Sequence, residues 1–166
     1  MKLPDYIPYF AVGLRQPWAS ALFLKSSPCT SINFRPGTQQ PNRFRGLVEQ
    51  WVFVHADHSG TAQDRLRFDG LLRSGLMPYG VYDELPFGGL IGLVQIKAVY
   101  GAGEGVDDTN PWRNPEHDAV VVGAAVSLPE LVPYSGAMGL WRMDVPRAPD
   151  QLRELQVVLA ALRGEL

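Results

Sequence analysis

One cysteine, Cys29, stands among 166 residues. A single thiol excludes an intrachain disulfide and a multi-cysteine zinc cage. No apolar run approaches the ~20 residues that a membrane-crossing helix needs. The opening Met1-Lys2-Leu3-Pro4-Asp5 has no apolar segment of signal-peptide type. From these absences we expect a soluble cytoplasmic protein that engages no membrane. Charge is sparse too: charged residues make up 19% and the net charge is −2, so this is no globally basic nucleic-acid coat. Between Asp5 and Glu49 acidic residues are missing altogether, while Arg15, Lys25, Arg35, Arg43 and Arg45 give that stretch a formal charge of +5. Residues 104–118 lean the other way, with Glu104, Asp107, Asp108, Glu116 and Asp118 against Arg113 alone. Such polarity can draw a polyanion to one face, or can be ordinary solvated surface.

Apolar residues supply 46% of the chain, enough to bury a core and to argue against disorder. The 17 glycines and 14 prolines predict many turns and few long helices. The length suits one domain. We place it at residues 1–147, with a C-terminal amphipathic helix at 148–166 packed on it or extending it.

The pattern predicts strands at 9–14, 31–35, 51–56, 88–100, 118–128 and 139–145. These runs are rich in β-branched and aromatic residues or alternate polar with apolar. Gly92 marks a bend or bulge in the longest of them. Pro17 opens a short helix reaching Leu24, which Pro28 stops. Leu66, Leu71, Leu72 and Leu76 give residues 61–75 helical spacing, and after Pro149 the series Leu152, Leu155, Val158, Leu159 and Leu162 does the same. Segments 36–42, 77–87 and 101–117 read as loops. Strands without regular β-α alternation predict an α+β fold, a small barrel of five to six mostly antiparallel strands with peripheral helices.

Few residues carry chemistry. Gly101-Ala102-Gly103-Glu104-Gly105 contains an acid and precedes no Lys-Ser/Thr, so it is a hairpin loop and not a phosphate loop. His55 and His58 have no Cys or His companions at ligand spacing, and no metal or other cofactor is expected. His55 ends a buried strand, where it could bond a ligand or a backbone carbonyl. Ser20, Ser27 and Cys29 sit in no nucleophile motif. Arg15-Gln16-Pro17-Trp18-Ala19 is the most informative run: a strand end, a helix start flanked by Arg for an anion, and a tryptophan that could stack a base or fill the core.

Those residues also carry a resemblance. Leu14-Arg15-Gln16-Pro17-Trp18-Ala19-Ser20 resembles the opening of the ASCH domains, a PUA-like family. Further segments resemble that family in the same order: Ser31-Ile32-Asn33-Phe34-Arg35-Pro36; Arg45-Gly46 with Phe53-Val54-His55-Ala56; Leu85-Pro86-Phe87-Gly88-Gly89-Leu90-Ile91-Gly92; and Gly136 to Trp141. The resemblance spans roughly residues 11–145. It implies a small PUA-like β-barrel with a cleft beside the Gln16-Pro17-Trp18 helix, binding RNA or nucleotides. Some relatives hydrolyse the amide of N4-acetylcytidine, using a Lys at the start of the second strand, and others are linked to RNA cleavage. Here that Lys position falls on Thr30 and a family Glu on Asn33, while Arg35 is kept. Threonine supplies no comparable base.

The leading expectation is therefore a module that holds RNA or a nucleotide-like ligand through Arg15, Gln16, Trp18, Asn33, Arg35, Arg45 and His55. The alternatives are a small hydrolase of a modified nucleoside or RNA, with Lys25 and His55 as candidate catalytic residues, and a protein-interaction adaptor using the terminal helix. The oligomeric state stays open.

Overall fold

Alternation along the strands assigns side chains to two faces, and both faces are covered. In the computed structural model, residues 3–4, 6–78, 80–106, 109–143 and 149–164 are described, with backbone alone at 149–152. Strands β1 (Phe10–Leu14), β2 (Ser31–Phe34), β3 (Trp51–Ala56), β4 (Gly89–Tyr100), β5 (Asp118–Pro133) and β6 (Gly139–Arg142) form one sheet in the order β2-β5-β4-β3-β1-β6. Helices α1 (Trp18–Ala21), α2 (Gln40–Arg43), α3 (Ala62–Arg73) and α4 (Pro149–Leu162) accompany it. Val12, Val52, Val54, Val94, Ile96 and Val120 face one core, which α1 and α3 cover with Ala19, Phe68 and Leu71. Ala11, Trp51, Phe53, Leu90 and Leu93 face the other, where Leu155 and Leu159 of α4 are fully buried. Each buried leucine stabilises this packing by about 1.5–3 kcal/mol.

The sheet is mixed. Among the described residues only β1 and β3 pair in parallel; the other four pairings are antiparallel. A parallel pair needs a long crossover. Residues 15–50 provide it, carrying β2 to the far edge on the way. The sheet curls into a half-barrel, open between β2 and β6, which do not pair among the described residues. Helix α2 lies against β4, β5 and β6, and Gln40 Oε1 accepts from the Leu140 amide at 3.2 Å.

Several expected boundaries move. The helix after Pro17 spans four residues instead of reaching Leu24. The loop expected at 36–42 gives way at Gln40 to α2, which a 3-10 turn at Arg45–Leu47 follows. Strand β5 runs through Pro129 to Pro133. Between the pairs Gly92–Ser127 and Leu90–Val132 the register shifts, so four β5 residues oppose Ile91 alone. Pro129 sits in that irregular stretch, where its missing N–H costs no ladder bond. Gly92 stands at the same shift, as expected, and a Cβ there would meet the Phe23 ring at 2.4 Å. Asp144 and Val145, expected to close the last strand, lie outside the described residues.

Candidate functional site

An open cleft of about 890 Å³ lies where β1 ends and β2 begins. Its walls come from four places: Gly13 to Arg15 with Trp18; Ser31 to Arg35 on and after β2; Asp64, Arg67 and Leu71 on α3; and Pro111 to Asn114 with His117 in the β4–β5 connection. Gly13 lets the rim close in, because a Cβ there would fall 1.7 Å from the Ala137 carbonyl oxygen.

Among the described residues, four guanidinium groups line this cleft, Arg15, Arg35, Arg67 and Arg113, against one carboxylate, Asp64. That carboxylate is already committed. It is buried, it accepts from the Thr61 amide and hydroxyl at 3.0 and 2.9 Å as the start of α3, and Arg67 Nη1 lies 3.3 Å from it. Arg15 and Arg35 are exposed and make no ion pair among the described residues. The cleft therefore carries positive charge that its own carboxylate does not cancel. Trp18 is half-buried and meets Trp112 edge to face, ring centres 6.4 Å apart. Trp112 is buried and donates Nε1 to the Ser27 carbonyl at 3.2 Å.

The cleft gathers four of the expected residues: Arg15, Trp18, Asn33 and Arg35. Asn33 lies there with its side chain engaged. Its Nδ2 donates to the Trp112 carbonyl at 2.8 Å, and its Oδ1 accepts from the Ser31 hydroxyl at 2.8 Å and the Asn114 amide at 3.4 Å. Gln16, Arg45, His55 and Lys25 do not line it. Gln16 is fully buried; its amide donates to Ser20 Oγ at 2.7 Å and the Pro86 carbonyl at 2.8 Å and accepts from the Ser20 amide at 3.0 Å. With both ends used, it joins α1 to the strand-entering turn at Pro86 and has no edge left for a base. His55 is buried, its Nε2 2.7 Å from the Tyr134 carbonyl oxygen and its ring edge-on to Trp141. Burial holds its pKa below 6.5 against the opposing Tyr134 carbonyl bond. Arg45 is exposed and bonds Asn42 Oδ1 at 3.1 Å, and Lys25 is exposed on the stretch after α1.

Helix α1, whose start the sequence offered for an anion, is one turn long; its Ala19 amide donates to the Arg15 carbonyl at 3.2 Å and its Ser20 amide to Gln16 Oε1 at 3.0 Å. Thr30, at the position where the resembled family has Lys, accepts from Asn110 Nδ2 at 2.9 Å. Cys29 lines the cleft, but burial pushes its thiol up to about 11, so it stays protonated near neutral pH.

Four residues were missed: Arg67, Trp112, Arg113 and His117. The signal was the run Asn110-Pro111-Trp112-Arg113-Asn114-Pro115, a tryptophan and an arginine held between prolines inside a loop. Loops that fix an aromatic and a cation on a rigid scaffold are common binding elements. Among the described residues, no group of three or more His, Cys, Asp or Glu is placed to hold a metal ion, and no helix is long and apolar enough to cross a membrane. No protein-family model matches the chain, and no curated protein matches it.

Proposed function

We propose that the protein binds RNA or a nucleotide-like ligand in this cleft, as an ASCH-type, PUA-like domain. One observation carries the reading: among the described residues, four arginines and the partly exposed Trp18 line a single cleft with one carboxylate, which is already engaged. Arginine forks hold phosphate oxygens, and an indole face stacks any base. The volume falls within the range of small-ligand sites and leaves room for more than one nucleotide unit. Binding is favoured over hydrolysis because Thr30 and Asn33 carry no ionisable side chain and both are held in hydrogen bonds.

The test is binding to short single-stranded RNAs between about 50 and 200 mM salt. Affinity should fall steeply with salt, and Arg15→Ala with Arg35→Ala should flatten that dependence. Failure to bind, or binding indifferent to salt and to both substitutions, overturns the reading.

A further inference from the structure

The proposed binding uses the open arginines. It leaves unexplained the one that is shut in. Arg113 is 7% exposed, yet it lines the cleft. Its terminal nitrogens donate only to backbone carbonyls. Nη1 reaches those of Asn114 and, at 2.7 Å, His117; Nη2 reaches those of Gly101 at 3.3 Å and Glu104 at 3.0 Å. Its Nε meets no acceptor. No carboxylate pairs with it among the described residues. Of the described acids near it, Glu104 Oε2 accepts from the Gly101 amide at 3.2 Å and Asp118 Oδ1 from the Ala102 amide at 2.9 Å.

A buried charge is costly unless it is both hydrogen-bonded and paired. Four carbonyl dipoles meet the first condition at Nη1 and Nη2 but not at Nε, and leave the second open. The same loop holds a second orphan. His117 also lines the cleft, and its Nδ1 is sealed from water with no partner. A counter-ion at this corner would answer both deficits, with a small give in the loop to admit an oxygen to either nitrogen.

We infer that the Arg113–His117 corner is a subsite for a phosphate monoester, the phosphorylated end of an RNA chain or of a mononucleotide. The inference rests on the nucleotide-binding reading above and adds to it which phosphate the cleft selects. A monoester fits better than an internal phosphodiester because it brings close to two negative charges and three free oxygens instead of one charge and two oxygens. Arg113 supplies the fixed charge and His117 Nδ1 a donor, while Arg15 and Arg35 remain for the chain.

The experiment compares one short single-stranded RNA in three forms: 5′-phosphorylated, 3′-phosphorylated, and hydroxyl at both ends. A mononucleotide and inorganic phosphate are titrated alongside. One phosphorylated form should bind about tenfold more tightly than the hydroxyl form, as expected for a charge-assisted contact. That advantage should shrink in His117→Gln, which leaves the backbone carbonyl that holds Arg113, and in Arg113→Lys, provided thermal unfolding shows each variant folded. The wild-type comparison stands even if Arg113→Lys fails to fold. Equal binding of all three RNAs overturns the subsite and leaves the nucleic-acid reading intact. An advantage that persists undiminished in His117→Gln places the phosphate elsewhere and also overturns it. Binding of the mononucleotide or phosphate, lost in His117→Gln, with no binding of any RNA, upholds the subsite and sinks the RNA reading. If nothing binds, both fall.

Discussion

The two walls of the cleft are built on opposite principles. The wall from β1, α1 and β2 carries its charges outward: Arg15 and Arg35 are solvated, while the neighbouring Gln16 is buried and spends its whole amide on the scaffold. The wall from the β4–β5 connection is the reverse. There Arg113 is buried and its loop is folded around it, with Trp112 and Asn33 stitching it to β2. Solvated arginines are cheap to keep and bind through charge that salt screens. A buried arginine is costly to keep and can be more selective, because only a ligand of the right shape reaches it. Under the proposed binding, the contrast would separate attraction on one wall from discrimination on the other.

The sharpest way to break this contrast is at Gln16. If it is scaffold, Gln16→Leu strands the Pro86 carbonyl and the Ser20 amide and removes three hydrogen bonds. We expect a loss of about 3 kcal/mol in urea unfolding, since each stranded buried group costs roughly 1–3 kcal/mol. A variant of wild-type stability with impaired RNA binding would move Gln16 from scaffold to ligand contact.

Next comes the solvated pair. Arg15→Ala with Arg35→Ala should leave stability within about 0.5 kcal/mol, because neither group is packed or paired. RNA affinity should drop by about tenfold near 50 mM salt, and the salt slope should flatten by about 1.4, or 0.7 for each phosphate no longer neutralised. A stability loss as large as that of Gln16→Leu would show that the two arginines hold the wall together.

How far these walls were legible follows from the same contrast. Strand runs with continuous or alternating apolar residues are written in local pattern, so β1, β3, β4 and the β-rich start of β5 could be read directly. The cleft's first wall was legible because Arg15, Trp18, Asn33 and Arg35 lie close in sequence. The burial of Gln16 was not legible for a physical reason: whether an amide faces a cleft or the scaffold depends on Pro86, 70 residues away. Arg113 was hidden by charge counting. Amid five acids it looked like a neutralised surface cation, whereas Glu104 and Asp118 accept from backbone amides and no described carboxylate pairs with it. The fragment between Pro111 and Pro115 held the clue, but only its closure on Asn33 and Thr30 brings it to the cleft. The sheet's parallel pair was equally beyond local pattern, because it depends on where the 15–50 crossover returns.

Asn33 tests the stitch between the walls. Asn33→Asp keeps an acceptor for Ser31 and the Asn114 amide but sets a carboxylate oxygen where Nδ2 donates to the Trp112 carbonyl. The expected loss is about 1 kcal/mol for one bond broken in a part-buried place. RNA affinity should fall by a few-fold, more at low salt, because the new charge sits among the arginines. Unchanged affinity at low salt would show that the β2 wall does not feel the ligand.

The smallest effect should come from His55, and it separates the core from the cleft. His55 lies outside the arginine-lined cleft, bonded to the Tyr134 carbonyl and packed on Trp141. Burial is the main cause that lowers its pKa from 6.5; the Tyr134 bond opposes it, His58 adds to the lowering, and Asp57 counters. The sign of the stability effect follows. Well above 6.5 the imidazole is neutral in both folded and unfolded chains, so it contributes no pH dependence. As pH falls through 6.5 the unfolded chain takes up the proton first, and stability drops until the lower folded-state pKa is reached. Asp83, held below 3.8 by its bond to Arg65, titrates under this window and does not confuse it. Urea unfolding at about pH 7.5 and pH 5 should therefore show a loss in wild type that is reduced in His55→Gln. Glutamine can still donate to the Tyr134 carbonyl but does not titrate. RNA binding compared between the two proteins at about pH 7.5 should be the same, since His55 is neutral there and outside the cleft. An equal acid loss in both proteins would assign the drop to other groups, and weaker RNA binding by folded His55→Gln would return His55 to the site.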